Sequence, residues 1–385
     1  MKKSHNVTST WSLKKQYPNL WNKLLTTEVQ IEDELGAFFS DNELTYIDDL
    51  EYYSEGVVSR PEGSKRAFYI QLASGGVIAV KGTEILSKHL SSDLMKDFSS
   101  KLPNRPWTLY ENFIFREQKV PMALLHEEAM EETCIGADFQ SKLFSAFEFL
   151  EEAPLPLLVY QWDEERQDQY LEEVLPHLNK RGADLVNLLV TKHGLGVSVY
   201  YYPYLPVRIR FKLPDRANGY VERNKLVYEN SGSSGTLAAQ RLISIVARML
   251  VVGLLPFSFQ DHGIGQCIAP QNVTLRGGIC DMGSLFPIAR IRSEKELYEL
   301  FGSMLVILTR TIHELHLRPL QNLFYEFEEP SATSAFIGPF VMTELKRKYE
   351  DFCLEAGLEA NAKLVNCFSS MDGADLEHIF SVMYS

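Results

Sequence analysis

The chain has 385 residues, 45% of them hydrophobic and 23% charged, a globular rather than a disordered composition. Its formal charge of −13 sets it against phosphate backbones and argues against a general nucleic-acid binder. Five scattered cysteines without a C-x-x-C pair offer no disulfide framework or zinc knuckle. No apolar run approaches the ~20 residues of a membrane span, and no apolar stretch follows Met1-Lys2-Lys3, so the setting expected is a reducing cytoplasm.

Residues 1–55 mix polar, helix-like pieces with aromatic residues and read as an N-terminal extension. Trp11, Tyr17, Leu20 and Trp21 are its candidate anchors. Residues 66–82 hold two β-rich runs, RAFYIQL and VIAVKG, joined by Ala73-Ser74-Gly75-Gly76, the pattern of a hairpin. Lys81 ends the second run. Residues 84–100 carry apolar residues at helical spacing, and 121–149 predict a longer helix with Pro121 near its start.

LPLLVYQW (155–162) reads as a buried, hinge-like strand, 165–192 as helical and 196–202 as a strand. VRIRFKL (207–213) alternates as a strand with one wet face. A Ser/Gly-rich loop at 229–236 precedes an apolar helix from Leu237 to about Leu254, and amphipathic helices follow at 294–317 and 340–356. Strands first and helices later predict an α+β, two-lobed fold: extension 1–55, N-lobe 56–162, and a helix-rich C-lobe 163–385 containing the loop 260–285.

The densest chemical signal lies in that loop. Asn272 is followed by a short apolar run, Gly277-Gly278, a second apolar run, then Asp281 and Gly283. A tiny hairpin of this kind sets an amide oxygen beside a carboxylate, donors that suit Mg²⁺ or Mn²⁺. Protein kinases hold their ATP-bridging metals with an Asn and a D-x-G Asp in this way. Asn and Asp are also ordinary turn residues, so each alone says little.

VIAVK resembles the V-A-I-K strand whose lysine contacts the α- and β-phosphates. Such a lysine needs a helix carboxylate to hold it. Glu127, Glu128, Glu131 and Glu132 are candidates, Glu128 is favoured, and Glu84 is a rival too close in sequence to fold back easily. Arg208 and Arg210 flank Ile209 on one strand and so share a face, which suits either phosphate oxygens or plain surface pairing. His262 could act as a base or simply hold the loop, and His313 with His316 lacks the neighbouring carboxylates of a metal site.

Residues 262–283 resemble the selenoprotein O family, kinase-fold proteins with the signature H-G-x-x-N-T-D-N-M-S-x-x-G-x-T-I-D-Y-G. The matching positions are His262-Gly263, Asn272, Gly277, Ile279, Asp281 and Gly283, preceded by an apolar helix similar to the family's. VRIRF is similar to the family's V-R-F segment. The resemblance implies a kinase-like fold and transfer of AMP from ATP to a hydroxyl group of a protein, with ATP bound in the flipped sense. It implies Asn272 and Asp281 as metal ligands, Lys81 on phosphate, and Arg208 or Arg210 on the nucleotide.

Two departures stand out. Residues Gly265 to Ala269 are extra, and Gln271 stands where the family has its candidate base. A glutamine accepts no proton, so Asp261 takes the role or the transfer proceeds without a strong base, since it depends mainly on positioning and charge neutralisation. The acceptor expected is a protein, a peptide or a small molecule. The alternatives are a phosphate-transferring kinase, a nucleotide-binding pseudokinase acting as a scaffold, and a ligase of the siderophore-synthetase kind.

Overall fold

The computed structural model describes residues 7–27, 58–59, 67–71, 76–82, 120, 123–148, 153–204, 206, 235–256, 258–260, 263–265, 267–270, 272–282, 285–317 and 331–371. Two compact units divide the chain: Met1–Ala137 with Leu155–Leu205 and Asp261–Gly263, and Asp138–Pro154 with Pro206–Gln260 and Ile264–Ser385. The secondary structure is α+β, and the only large sheet among the described residues is antiparallel.

The first unit is built on that sheet. Its strands are β1 (Val7–Ser12), β2 (Val58–Ser59), β3 (Ala67–Gln71), β4 (Val77–Lys81), β5 (Leu155–Trp162) and β6 (Gly196–Tyr202). They lie in the order β1-β5-β6-β4-β3-β2, every neighbouring pair antiparallel. GVSVYYY is buried along its whole length because β6 sits between β4 and β5 and is covered on both faces. Pro156 in β5 cannot donate to the ladder, and the register shifts between Pro156 and Leu158.

β3 and β4 pair as the sequence predicts, with Ala67 opposite Lys81 and Gln71 opposite Val77, while residues 72–75 of the expected turn lie outside the described residues. The extension holds helix-like pieces as read, preceded by a strand that was not expected. Residues 7–12 are an edge strand on β5, followed by helices α1 (Leu13–Gln16) and α2 (Pro18–Thr27) that bury Leu13, Leu20 and Leu24. Of the candidate anchors, Trp11 and Leu20 are buried.

Helix α3 (His126–Phe147) follows β4 in the described chain and starts after Leu124 and Leu125 rather than at Pro121. The stretch 165–192 is two helices, α4 (Glu164–Val174) and α5 (Lys180–His193), with a 3₁₀ turn over Leu175–His177 containing Pro176. Asp163 caps α4 by accepting from the Arg166 amide at 2.9 Å, and Asn179 caps α5 by accepting from Gly182 at 2.8 Å. Residues 163–205 therefore belong with the sheet, and the expected boundary at 162/163 falls inside this unit. The strand that precedes the passage into the second unit is β6, not 155–162.

The second unit is helical. Among its described residues α6 (Gly235–Val251), α7 (Glu294–Leu317) and α8 (Ser331–Ala356) pack on one another, and α9 (Ala362–Ser370) packs on α7. Phe368 of α9 stands edge-on to Phe301, ring centroids 4.9 Å apart, and 5.6 Å from Tyr349. Helix α8 begins before the expected residue 340 and contains Pro339. Residues 84–100, 207–213 and 229–234 lie outside the described residues. Among the described residues no helix is long and apolar enough to cross a membrane.

Candidate functional site

In the first unit the chemistry centres on the end of β4. Val77, Ala79 and Lys81 alternate onto one face, opposite Tyr202, Tyr200 and Ser198 of β6. Three backbone ties place the start of α3 at the neighbouring end of β6. The Gly196 amide donates to Leu124 at 2.8 Å, the His126 amide donates to Gly194 at 3.0 Å, and Leu125 bridges Leu195.

From that start the helix buries Ala129, Thr133 and Ala137 at helical spacing, and its continuation in the second unit buries Phe139, Gln140 and Leu143. Glu132 flanks this stripe, and its carboxylate Oε2 accepts from Lys81 Nζ in an ion pair. Both side chains are mostly buried, at 18% and 13% exposed, so water screens the pair weakly.

The carboxylate on Lys81 is thus Glu132, one helical turn beyond the favoured Glu128 on the same face. The other two candidates, Glu127 and Glu131, are exposed, and Glu127 pairs with His193 Nδ1. The signal that separates them is the buried stripe itself. Only the glutamates beside its small residues can face the sheet.

The loop 256–285, which apart from Asp261–Gly263 belongs to the second unit, is closed at its base. β7 (Leu254–Leu255) pairs antiparallel with β10 (Phe286–Pro287), and the Ile288 amide donates to Gly253 at 2.8 Å. Within it β8 (Ser258–Gln260) and β9 (Gly263–Gly265) pair as a short ladder. Cys267, Ile268 and Ala269 are buried beneath, and Thr311 of α7 donates from Oγ1 to the Ile268 carbonyl at 2.8 Å.

The expected small hairpin forms on this base. Val273 bridges Ile279, the Cys280 amide donates to Asn272 at 2.8 Å, and the Thr274 amide donates to Gly278 at 2.8 Å. Thr274 Oγ1 also accepts from the Gly278 amide at 2.9 Å. Gly277 adopts φ +86° at the tip, where a side chain would strike the Ala238 carbonyl of α6. The buried rungs Val273, Thr274 and Ile279 fix the turn.

Asn272 and Asp281 flank the open end of the hairpin, each half-buried. The Cys267 thiol is pushed well above its ordinary pKa, first by burial and then by the negative charge of Asp281. That carboxylate therefore lies over the buried floor of the loop. Among the described residues no three His, Cys, Asp or Glu side chains gather as a metal cage. The donors here are one carboxylate and one amide oxygen, which suits a hard cation that takes its remaining oxygens from phosphate and water.

Asp261, His262, Gln271, Arg208, Arg210 and Glu84 lie outside the described residues. His313 is half-buried on α7. All five cysteines are free thiols, Cys134 exposed and the other four buried. A scan against models of known protein families gives no match to this chain, and a search of curated proteins gives none either.

Proposed function

We propose that this chain is an ATP- and metal-dependent transferase of protein-kinase-like fold that moves AMP from ATP onto a hydroxyl of a protein, peptide or small molecule. One observation carries the reading: Lys81 ends the last strand of the β2-β3-β4 meander, and the next described helix supplies the carboxylate, Glu132, that holds it. Protein kinases use that order and that pair to keep a cation on the nucleotide phosphates.

The hairpin of the second unit supports it with a separate donor set. Asn272 and Asp281 would hold Mg²⁺ or Mn²⁺, and the metal would neutralise charge on the transferring phosphates. The nucleotide-handling roles of Arg208 and Arg210, and the choice between Asp261 and no base at all, belong to the same reading. It is the distant resemblance to selenoprotein O proteins that favours AMP over phosphate as the group transferred.

A second reading, a nucleotide-binding pseudokinase, is favoured by Gln271, which offers no proton acceptor. Calorimetric titration of ATP with Mg²⁺ or Mn²⁺ into the wild type and Asp281→Ala tests both. Metal-dependent binding that disappears in the variant supports the site. Absence of binding in the wild type ends both readings.

A further inference from the structure

We infer that Thr10, on the edge strand β1, is a positioning residue that sets the roll of helix α3 and thereby keeps Glu132 on Lys81. Its bearing on catalysis rests on the function proposed above; its structural content does not.

The ladder between β1 and β5 shifts register between Ser9 and Trp11, so Thr10 sits on the irregularity. A residue at a bulge is re-aimed relative to its strand. Thr10 Oγ1 lies 3.2 Å from the Val159 carbonyl, 2.9 Å from Nε2 of His126 and 3.8 Å from the sulfur of Met130. The hydroxyl has one proton, and the carbonyl is a better acceptor than a thioether. Donation to Val159 leaves the oxygen to accept from the Nε2–H of His126. Burial lowers the pKa of His126, and the Nε2–H can donate in either charge state of the ring.

The helical geometry gives the contact its consequence. His126 and Met130 are one turn apart and form a ridge along one flank of α3. Residues two apart on a helix point roughly 160° from each other, so Glu132 projects from the flank opposite Met130. Ala129 and Thr133 lie between the two flanks and are fully buried. Over these first turns the buried side chains are small, while Phe139 and Leu143 seat the helix further along. The backbone ties at Leu124–His126 fix where the helix starts. Side chains on its two flanks fix how it is rolled. Thr10 grips one flank and Lys81 the other.

The test needs no nucleotide. Thr10→Val removes the hydroxyl and keeps the shape, while Thr10→Ser keeps the hydroxyl. In the full chain, Lys81 acylation by an amine-reactive ester is followed by mass spectrometry beside amide exchange of residues 126–137. Thr10→Val is expected to speed Lys81 acylation about two- to five-fold, the loss of one hydrogen bond, with Thr10→Ser near wild type. Exchange in α3 rises while β4 and β6 stay protected.

His126→Ala leaves the strand untouched and should reproduce the effect of Thr10→Val. Wild-type acylation in Thr10→Val overturns the inference. So does a rise spread equally over α3 and the sheet, which marks a general tether. Because neither readout involves ATP, a chain that binds no nucleotide can still show the clamp, and one that binds ATP can still lack it.

Discussion

Lys81, at the end of β4, and Glu132, about two turns into α3, form a mostly buried ion pair across the helix–sheet packing of the first unit. The pair lies between an exposed pair, which is worth little, and a fully buried one, whose broken half is costly. Glu132→Gln keeps the volume and removes the charge, and should cost about 1–3 kcal/mol in urea unfolding. Glu131→Gln, on the exposed face of the same helix, should stay within about 0.5 kcal/mol of wild type. Equal effects from the two would dissociate the ion pair from stability.

The same substitution separates binding from stability. If Lys81 serves the phosphates, Glu132→Gln lowers ATP affinity at temperatures where the protein stays folded, and the conservative Glu132→Asp lowers it less. Isothermal titration with Mg²⁺ present measures both. Affinity unchanged in Glu132→Gln would remove the lysine from the proposed site.

ATP labelled at the α- or the γ-phosphate decides which group moves. Incorporation of α-label into an acceptor, or into the chain itself, marks AMP transfer, and γ-label marks phosphate transfer. Both should fall at least about 100-fold in Asp281→Ala, since one lost electrostatic group in such sites costs on that order. Binding without incorporation of either label would identify the pseudokinase.

The hairpin tip makes a prediction about the backbone. Gly277→Ala meets both the φ of +86° and the Ala238 carbonyl, whereas Gly253→Ala, at φ +76°, meets nothing within 4 Å. Gly253→Ala should cost about 1 kcal/mol in strain alone, and Gly277→Ala about 2–4 kcal/mol. Thermal unfolding of the two variants reads the difference, which reports how tightly the metal-ligand hairpin is seated on α6.

Alkaline pH should loosen the second unit. Burial first, and the charge of Glu294 second, raise the Cys367 thiol from 9.0 to about 11. The folded value lies above the unfolded one, so this contribution to stability is whole below pH 9.0 and is lost as pH rises towards about 11. The stability gap between wild type and Cys367→Ala should therefore narrow over that window. A gap independent of pH would show that the thiol is not held protonated by the fold.

Much of the local structure was legible in the chain. Short β-rich and apolar runs marked β3, β4, β5 and β6, and the Asn272-to-Asp281 spacing around Gly277-Gly278 announced a hairpin whose rungs the backbone then makes. Composition and spacing act locally, and the β3–β4 and Asn272–Asp281 hairpins close over short sequence distances. What they could not supply was partnership across the chain. Residues 7–12 hold strand formers in Val7, Thr8, Thr10 and Trp11, but their polar content masks the signal, and it is the edge of β5 that they complete. Four glutamates on one helix look alike in sequence. Only the burial of Ala129 and Thr133 beside it shows which flank faces Lys81.

The sequence by itself determined the α+β alternation, the small hairpin and the residue types able to hold a cation and a phosphate, because hydrophobic period, turn chemistry and side-chain donors are local properties. The tertiary structure alone decided that β1 is the sheet's edge, that Glu132 is the carboxylate on Lys81, and that Thr10 reaches His126. Each of those joins groups far apart in the chain, and long-range juxtaposition is set by how faces bury against one another rather than by any residue's neighbours in sequence.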